Sequence, residues 1–155
     1  MLGAYQSVGF GAAPDSVYGA GGAQQLVSTW GFRGSYTHNW DAYWNTSVYG
    51  AYAEVSFNGT AKALICGTGG FWLSHRVAGG TCNPDYNIGQ VGVITKWTPV
   101  KNLTFSADLQ YTMLDQKMGG AINLPIQAGI GKPAATYAFK DQETLSLLLR
   151  AQRNW

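Results

Sequence analysis

Charge is scarce in this sequence: Asp, Glu, Lys and Arg together make up 12% of its 155 residues, about half the ~25% usual in soluble proteins. Scarce charge combined with 14% aromatics excludes intrinsic disorder, which has the opposite composition. The formal net charge of +2 is too small for a nucleic-acid-binding surface. No uncharged apolar run approaches the about 18 residues that a membrane-spanning helix requires. Cysteine is confined to Cys66 and Cys82, and histidine to His38 and His75. No cluster therefore has metal-ligand spacing, and no cofactor is expected. Glycine, in contrast, is abundant at 21 residues, about twice its average share. So much glycine disfavours a coiled coil or helical bundle. What is left is a β-rich chain, residues 1–155, of single-domain length.

A secretory signal is also missing. Met1-Leu2-Gly3-Ala4-Tyr5-Gln6 has neither a basic start nor an apolar stretch of about 7–15 residues. Cys66 and Cys82 sit in Gly-rich loop sequence. As a disulfide they would close a loop of about 16 residues, stabilising by roughly 3 kcal/mol. Two free cysteines in a reduced compartment fit the composition equally well. An oxidised loop conflicts with the missing export signal, unless the N-terminus is not the natural one.

Period-2 alternation dominates what is present. In 103–113, Leu103, Phe105, Ala107, Leu109, Tyr111 and Met113 alternate with Thr104, Ser106, Asp108, Gln110 and Thr112. Upstream, Val91, Val93 and Trp97 share one face, while Gln90 and Lys96 share the other with Ile94 as an exception. In 26–40, Leu26, Trp30, Phe32, Tyr36 and Trp40 alternate with Thr29, Arg33, Ser35, Thr37 and Asn39. The stretch 43–57 alternates less cleanly, with Trp44, Val48 and Tyr52 against Asn45, Ser47 and Tyr49. The last segment, from Thr144, is rich in helix formers. With period 2, Leu145, Leu147, Leu149, Ala151 and Trp155 face one way, Leu148 being the misfit among the polar positions. We read it as a strand.

Connection lengths follow a rhythm. Long segments over about 8–24, 58–83 and 116–138 alternate with short turns at 39–42 and 98–102. Outer-membrane barrels have short turns on one side and long loops on the other. Trp40, Trp44, Trp97 and Trp155 all fall at the short-turn ends, as an interfacial aromatic girdle does. Each run also supplies the ~9–11 residues that a tilted membrane strand needs. A soluble up-and-down barrel, with its apolar face inward, shows the same alternation. The loop rhythm and the Trp placement favour the membrane.

Asn83-Pro84-Asp85-Tyr86-Asn87-Ile88-Gly89-Gln90-Val91-Gly92 and Lys96-Trp97-Thr98-Pro99-Val100-Lys101-Asn102-Leu103 resemble the alphaproteobacterial porins of the rhizobial and Brucella type. The ending from Lys140-Asp141-Gln142-Glu143 to Arg150-Ala151-Gln152-Arg153-Asn154-Trp155 resembles their C-terminal strand. The resemblance runs from about Gln24 onward. It implies a Cys66–Cys82 disulfide, since Cys82 directly before Asn83-Pro84-Asp85 matches the family's pattern. It also implies a barrel of about 16 strands, a homotrimer in outer-membrane lipid, passing small hydrophilic solutes and ions. Trp155 departs from the family's usual terminal Phe. The expectation is an all-β antiparallel meander of five to six strands, the sixth at 1–7. It forms the C-terminal part of a barrel that is too short to close, without the family's N-terminal strands, signal peptide or pore-narrowing inward loop.

On this reading the polar faces form a pore wall of Arg33, Thr37, Gln90, Lys96, Asp108, Gln110, Gln142, Arg150 and Gln152. Three basic residues against one acid would favour anions weakly, unless an absent constriction loop sets selectivity. Enzyme chemistry is not expected. His38 is expected on an outward face and His75 in a loop, Asn58-Gly59-Thr60 is a chance glycosylation sequon in a bacterial setting, and Gly67-Thr68-Gly69-Gly70 is expected to precede no helix and so to be no phosphate loop. Two alternatives remain: a small outer-membrane barrel serving as anchor or adhesin, and a soluble calycin-like ligand binder.

Overall fold

Why alternating segments become paired strands is visible in the register of the computed structural model. It describes residues 15–155 apart from 20–21, 68–70, 78 and 127–131. The expected strand at 1–7 lies outside the described residues. Four long antiparallel ladders join β2 (Gln24–Asn39), β3 (Trp44–Phe57), β4 (Tyr86–Val100) and β5 (Leu103–Gln116) to the last strand. A three-residue β1 (Ser16–Tyr18), inside the segment expected to be loop, pairs with the start of β2. The long segment at about 58–83, also expected to be loop, holds two helices, α1 (Gly59–Cys66) and α2 (Phe71–His75). Contrary to expectation, a helix does follow Gly70 in the sequence, and His75 ends it rather than lying in a loop. The segment after β5 folds into a hairpin of β6 (Ala121–Leu124) and β7 (Ala135–Ala138). The chain then closes with β8 (Gln142–Arg153). The main sheet runs β1-β2-β3-β4-β5-β8 and curls into an open half-barrel.

The C-terminal segment shows tertiary pairing overriding propensity. Its helix-forming leucines lie on β8, held to β5 from Leu103↔Arg153 to Leu114↔Gln142. Both short turns have local chemistry. Between β2 and β3, Asp41 Oδ1 accepts the amides of Tyr43 and Trp44 at 2.6 and 2.8 Å, a side-chain-closed turn typical of Asp. Between β4 and β5, Asn102 takes the left-handed conformation at φ 69°, which Asn tolerates better than most residues.

Burial runs opposite to that of a soluble domain. Among the described residues no large side chain is fully buried, and the buried apolar residues are Val55, Phe57, Ala61 and Ile122. The large apolar side chains lie exposed on one face of the sheet, among them Phe32, Tyr36, Val48, Val91, Leu109 and Leu147. On β5 the polar face is the more covered one, with Thr112 only 5% exposed between exposed Leu109 and Met113.

The small core sits at the long-loop end. Helix α1 starts at Asn58, whose side chain caps the Ala61 amide at 2.8 Å. Ala61 packs on Val55 and Phe57, with Val17, Val27, Ile65 and Tyr86 around them. Asp85 fastens the joint: Oδ1 accepts the Phe57 amide at 2.8 Å, and the other oxygen pairs with Lys62. A disulfide joins Cys66 to Cys82 across a Cα–Cα distance of 5.8 Å, as the family resemblance implied. The second long connection is tied to the first through Val77 N–H to Ala121 O, Gly119 N–H to Thr81 O and the Arg76↔Ile122 bridge. Gly80, at φ +94°, lies so close to Gly119 that a Cβ there would meet its carbonyl oxygen at 2.4 Å.

Candidate functional site: the polar face of the sheet

Directly paired residues in an antiparallel ladder point to the same side, so the register alone assigns faces. Arg33 pairs with Ala51, Ala51 with Gln90 and Gln90 with Thr112. Thr37, Ser47, Ile94, Asp108 and Leu148 form a second row. Asn45, Lys96, Ser106 and Arg150 form a third, and Thr104 with Gln152 a fourth. Gln110 lies between Gly92 and Ser146, and Gln142 opposite Leu114. The register thus puts Arg33, Thr37, Gln90, Lys96, Asp108, Gln110, Gln142, Arg150 and Gln152 on one face.

The nine residues are not one cluster. Lys96, Asp108, Arg150 and Gln152 line a cleft of about 410 Å³ toward the short-turn end. Arg33 and Gln90 lie farther along the strands, and Gln142 sits at the far end of β8, near the long loops. Hydrogen bonds hold the uncharged groups in place. Thr37 and Ser47 hydroxyls meet at 2.8 Å. The Gln90 and Gln110 amides donate to Thr112 Oγ1 at 3.4 and 3.3 Å. Gln152 donates to Asn154 at 2.9 Å.

One polar-face residue outside the nine organises its centre. The Tyr49 hydroxyl donates to Asp108 Oδ1 at 2.7 Å and to Gln110 Oε1 at 3.3 Å. To reach β5 from β3 the ring crosses β4 over Gly92, where a Cβ would stand 2.3 Å from the Tyr49 ring. A tyrosine opposite a glycine on the polar parity was the signal. The four apolar residues Val27, Val55, Phe57 and Tyr86 also fall on polar-face parity. Their exception to alternation marks where α1 covers the end of this face. Helix α1 is therefore turned over the polar face of the sheet.

The opposite face carries an uncharged belt. On β3 it runs from Trp44 to Glu54, ten residue steps. At ~3.3 Å per residue and a tilt of about 40° that spans roughly 25 Å, the height of an outer-membrane apolar band. Glu54, Asn87 and Asp115, in one register row, bound it at the long-loop end, and on β8 Glu143 bounds it one row nearer the middle. At the short-turn end, Trp44 and Trp97 are paired and stacked with ring centroids 5.6 Å apart, and Phe105 lies 5.6 Å beyond Trp97. Trp40 donates its indole N–H to Thr46 at 2.9 Å and meets His38 edge-on. Trp155 stands beyond β8, 99% exposed, with the Arg153 guanidinium 4.8 Å from its ring.

A family model described as a porin subfamily matches residues 4–148. No curated protein and no solved structure matches the chain.

Proposed function

The chain belongs to the porin family, a family of outer-membrane channels rather than enzymes, and from that premise we propose that it forms part of the wall of a passive diffusion channel for small hydrophilic solutes and ions. The polar face borders the water-filled passage, and its nine named residues are the pore lining. The belt faces outer-membrane lipid, with Trp40, Trp44, Trp97 and Trp155 as the girdle at one interface. The strands cross the membrane repeatedly, and a homotrimer is the assembly that the resemblance implies.

The observation that carries this reading is the inverted burial of the three central strands: on β3, β4 and β5 the exposed positions fall on the apolar face, and the polar face is the more sheltered one. A soluble ligand-binding barrel requires the reverse, because only burial of the apolar face would stabilise it in water. Liposome swelling tests the proposal. With the chain folded into vesicles, uptake that falls with solute size and rises linearly with concentration is expected. Saturable uptake, or vesicles that exclude arabinose although the protein is inserted, would contradict a passive channel.

A further inference from the structure

Two of the apolar residues on the polar face, Ile94 and Leu148, are brought into a single register row with Asp108 between them. The next row toward the short turns is Lys96, Ser106 and Arg150. Each apolar side chain therefore stands two residues from a cation on its own strand, and all six line the same cleft. Leu148 is 63% exposed on this polar face. Neither Lys96 nor Arg150 forms an ion pair among the described residues. They flank Ser106 across β5, roughly 10 Å apart by strand spacing. The Tyr49 hydroxyl orients the intervening Asp108 carboxylate at 2.7 Å, and the two cations of the cleft outnumber this one acid.

We propose that this cleft is a subsite for amphiphilic anions: solutes that carry a carboxylate on a compact apolar body. The carboxylate lies between Lys96 and Arg150, with the Ser106 hydroxyl as a further donor, and the apolar body rests on Ile94 and Leu148. A simple wall for hydrated ions has no use for two aliphatic side chains beside its cations, since their exposure to water is unfavourable. A solute with both characters satisfies both rows at once. The proposal rests on the polar face being the pore lining, and it adds a preference among the solutes that pass.

The probe is benzoate, compared with formate, which has the charge without the body, and benzyl alcohol, which has the body without the charge. Titration of the isotope-labelled full chain in detergent micelles is followed by amide chemical shifts. Benzoate is expected to move the amides of 94–96, 106–108 and 148–150 and to saturate, whereas formate and benzyl alcohol do not saturate there. Arg150→Gln should weaken benzoate by about fivefold, the scale of one exposed charge contact. Leu148→Ser, at an exposed position that folding does not depend on, should weaken benzoate and leave formate unchanged. Formate binding as tightly as benzoate, or benzoate binding unaltered in both variants, overturns the subsite. Vesicles that swell in arabinose while benzoate fails to bind overturn the subsite and leave the channel standing; absence of swelling overturns the channel reading itself.

Discussion

At the residue scale, Asp85 joins the inward-turned helix to the sheet. Burial works to raise its carboxyl pKa, but the Lys62 ammonium, the Phe57 amide and Asn83 outweigh burial and hold it below the ordinary carboxylate value. A carboxyl lowered on folding contributes stability that is fully present above its unfolded value, about 3.9, and is lost as pH falls through the lowered folded value. Amide exchange at Phe57 and along α1, corrected for intrinsic rates, should thus be independent of pH from 7 to 5 and lose protection only below about pH 4. In Asp85→Asn, protection is expected to be weaker and flat across that range. Unchanged protection at pH 3 would contradict this role. Asp85 was legible only as part of a family motif, because its partners Phe57 and Lys62 lie across the whole loop. Tyr49 was likewise read as one polar position among several. Its reach over Gly92 to Asp108 depends on β4 separating the two strands, and no local pattern encodes that.

Among the elements, those whose information is local were readable. The four hairpin-linked strands announced themselves by alternation, and the short turns at 39–42 and 98–102 by the breaks between them, where the structure finds Asp41 and Asn102. The helices of segment 58–85 were not recognised, although α1 carries a start signal in Asn58 and good helix formers in Ala61, Lys62, Ala63 and Leu64. Asn58-Gly59-Thr60 has the form of a sequon, while the Asn58 side chain serves as the helix cap. The β6–β7 hairpin is four residues a side and too short to show a period. The disulfide sits in this same region, closing a separation of 16 residues. Its loss should cost roughly 3 kcal/mol by loop entropy, and this loss falls on the loop rather than the ladders. Cys66→Ser with Cys82→Ser is therefore expected to keep the strand signal in circular dichroism and to become protease-sensitive between β3 and β4. Equal loss of strand and loop would show that the bond supports the sheet.

For the whole molecule, the decisive property is that the half-barrel leaves two edges open. Beyond Val27, whose amide reaches Asp15, β2 has no described partner on its outer side, and β8 pairs only with β5 among the described residues. Unpaired backbone groups are costly in lipid and invite strand addition. The isolated chain in vesicles is expected to associate through these edges, so chains carrying His38→Cys should be linked to chains carrying Leu149→Cys by a short bis-maleimide. Uncrosslinked monomers giving discrete, stable single-channel steps would contradict this. Composition and alternation announced a β protein. The choice between an inward and an outward apolar face came from loop rhythm and Trp placement, because alternation is symmetric between the two.

That choice of face is the central claim, and cysteine accessibility measures it most directly. With the native pair retained as the disulfide, single cysteines are placed at Gln90, Gln110, Val91 and Leu109 of the chain folded into vesicles, and labelled with a charged, water-soluble methanethiosulfonate. Reaction at 90 and 110 with protection at 91 and 109 is the predicted result. Protection at 90 and 110 with reaction at 91 and 109 would contradict the account.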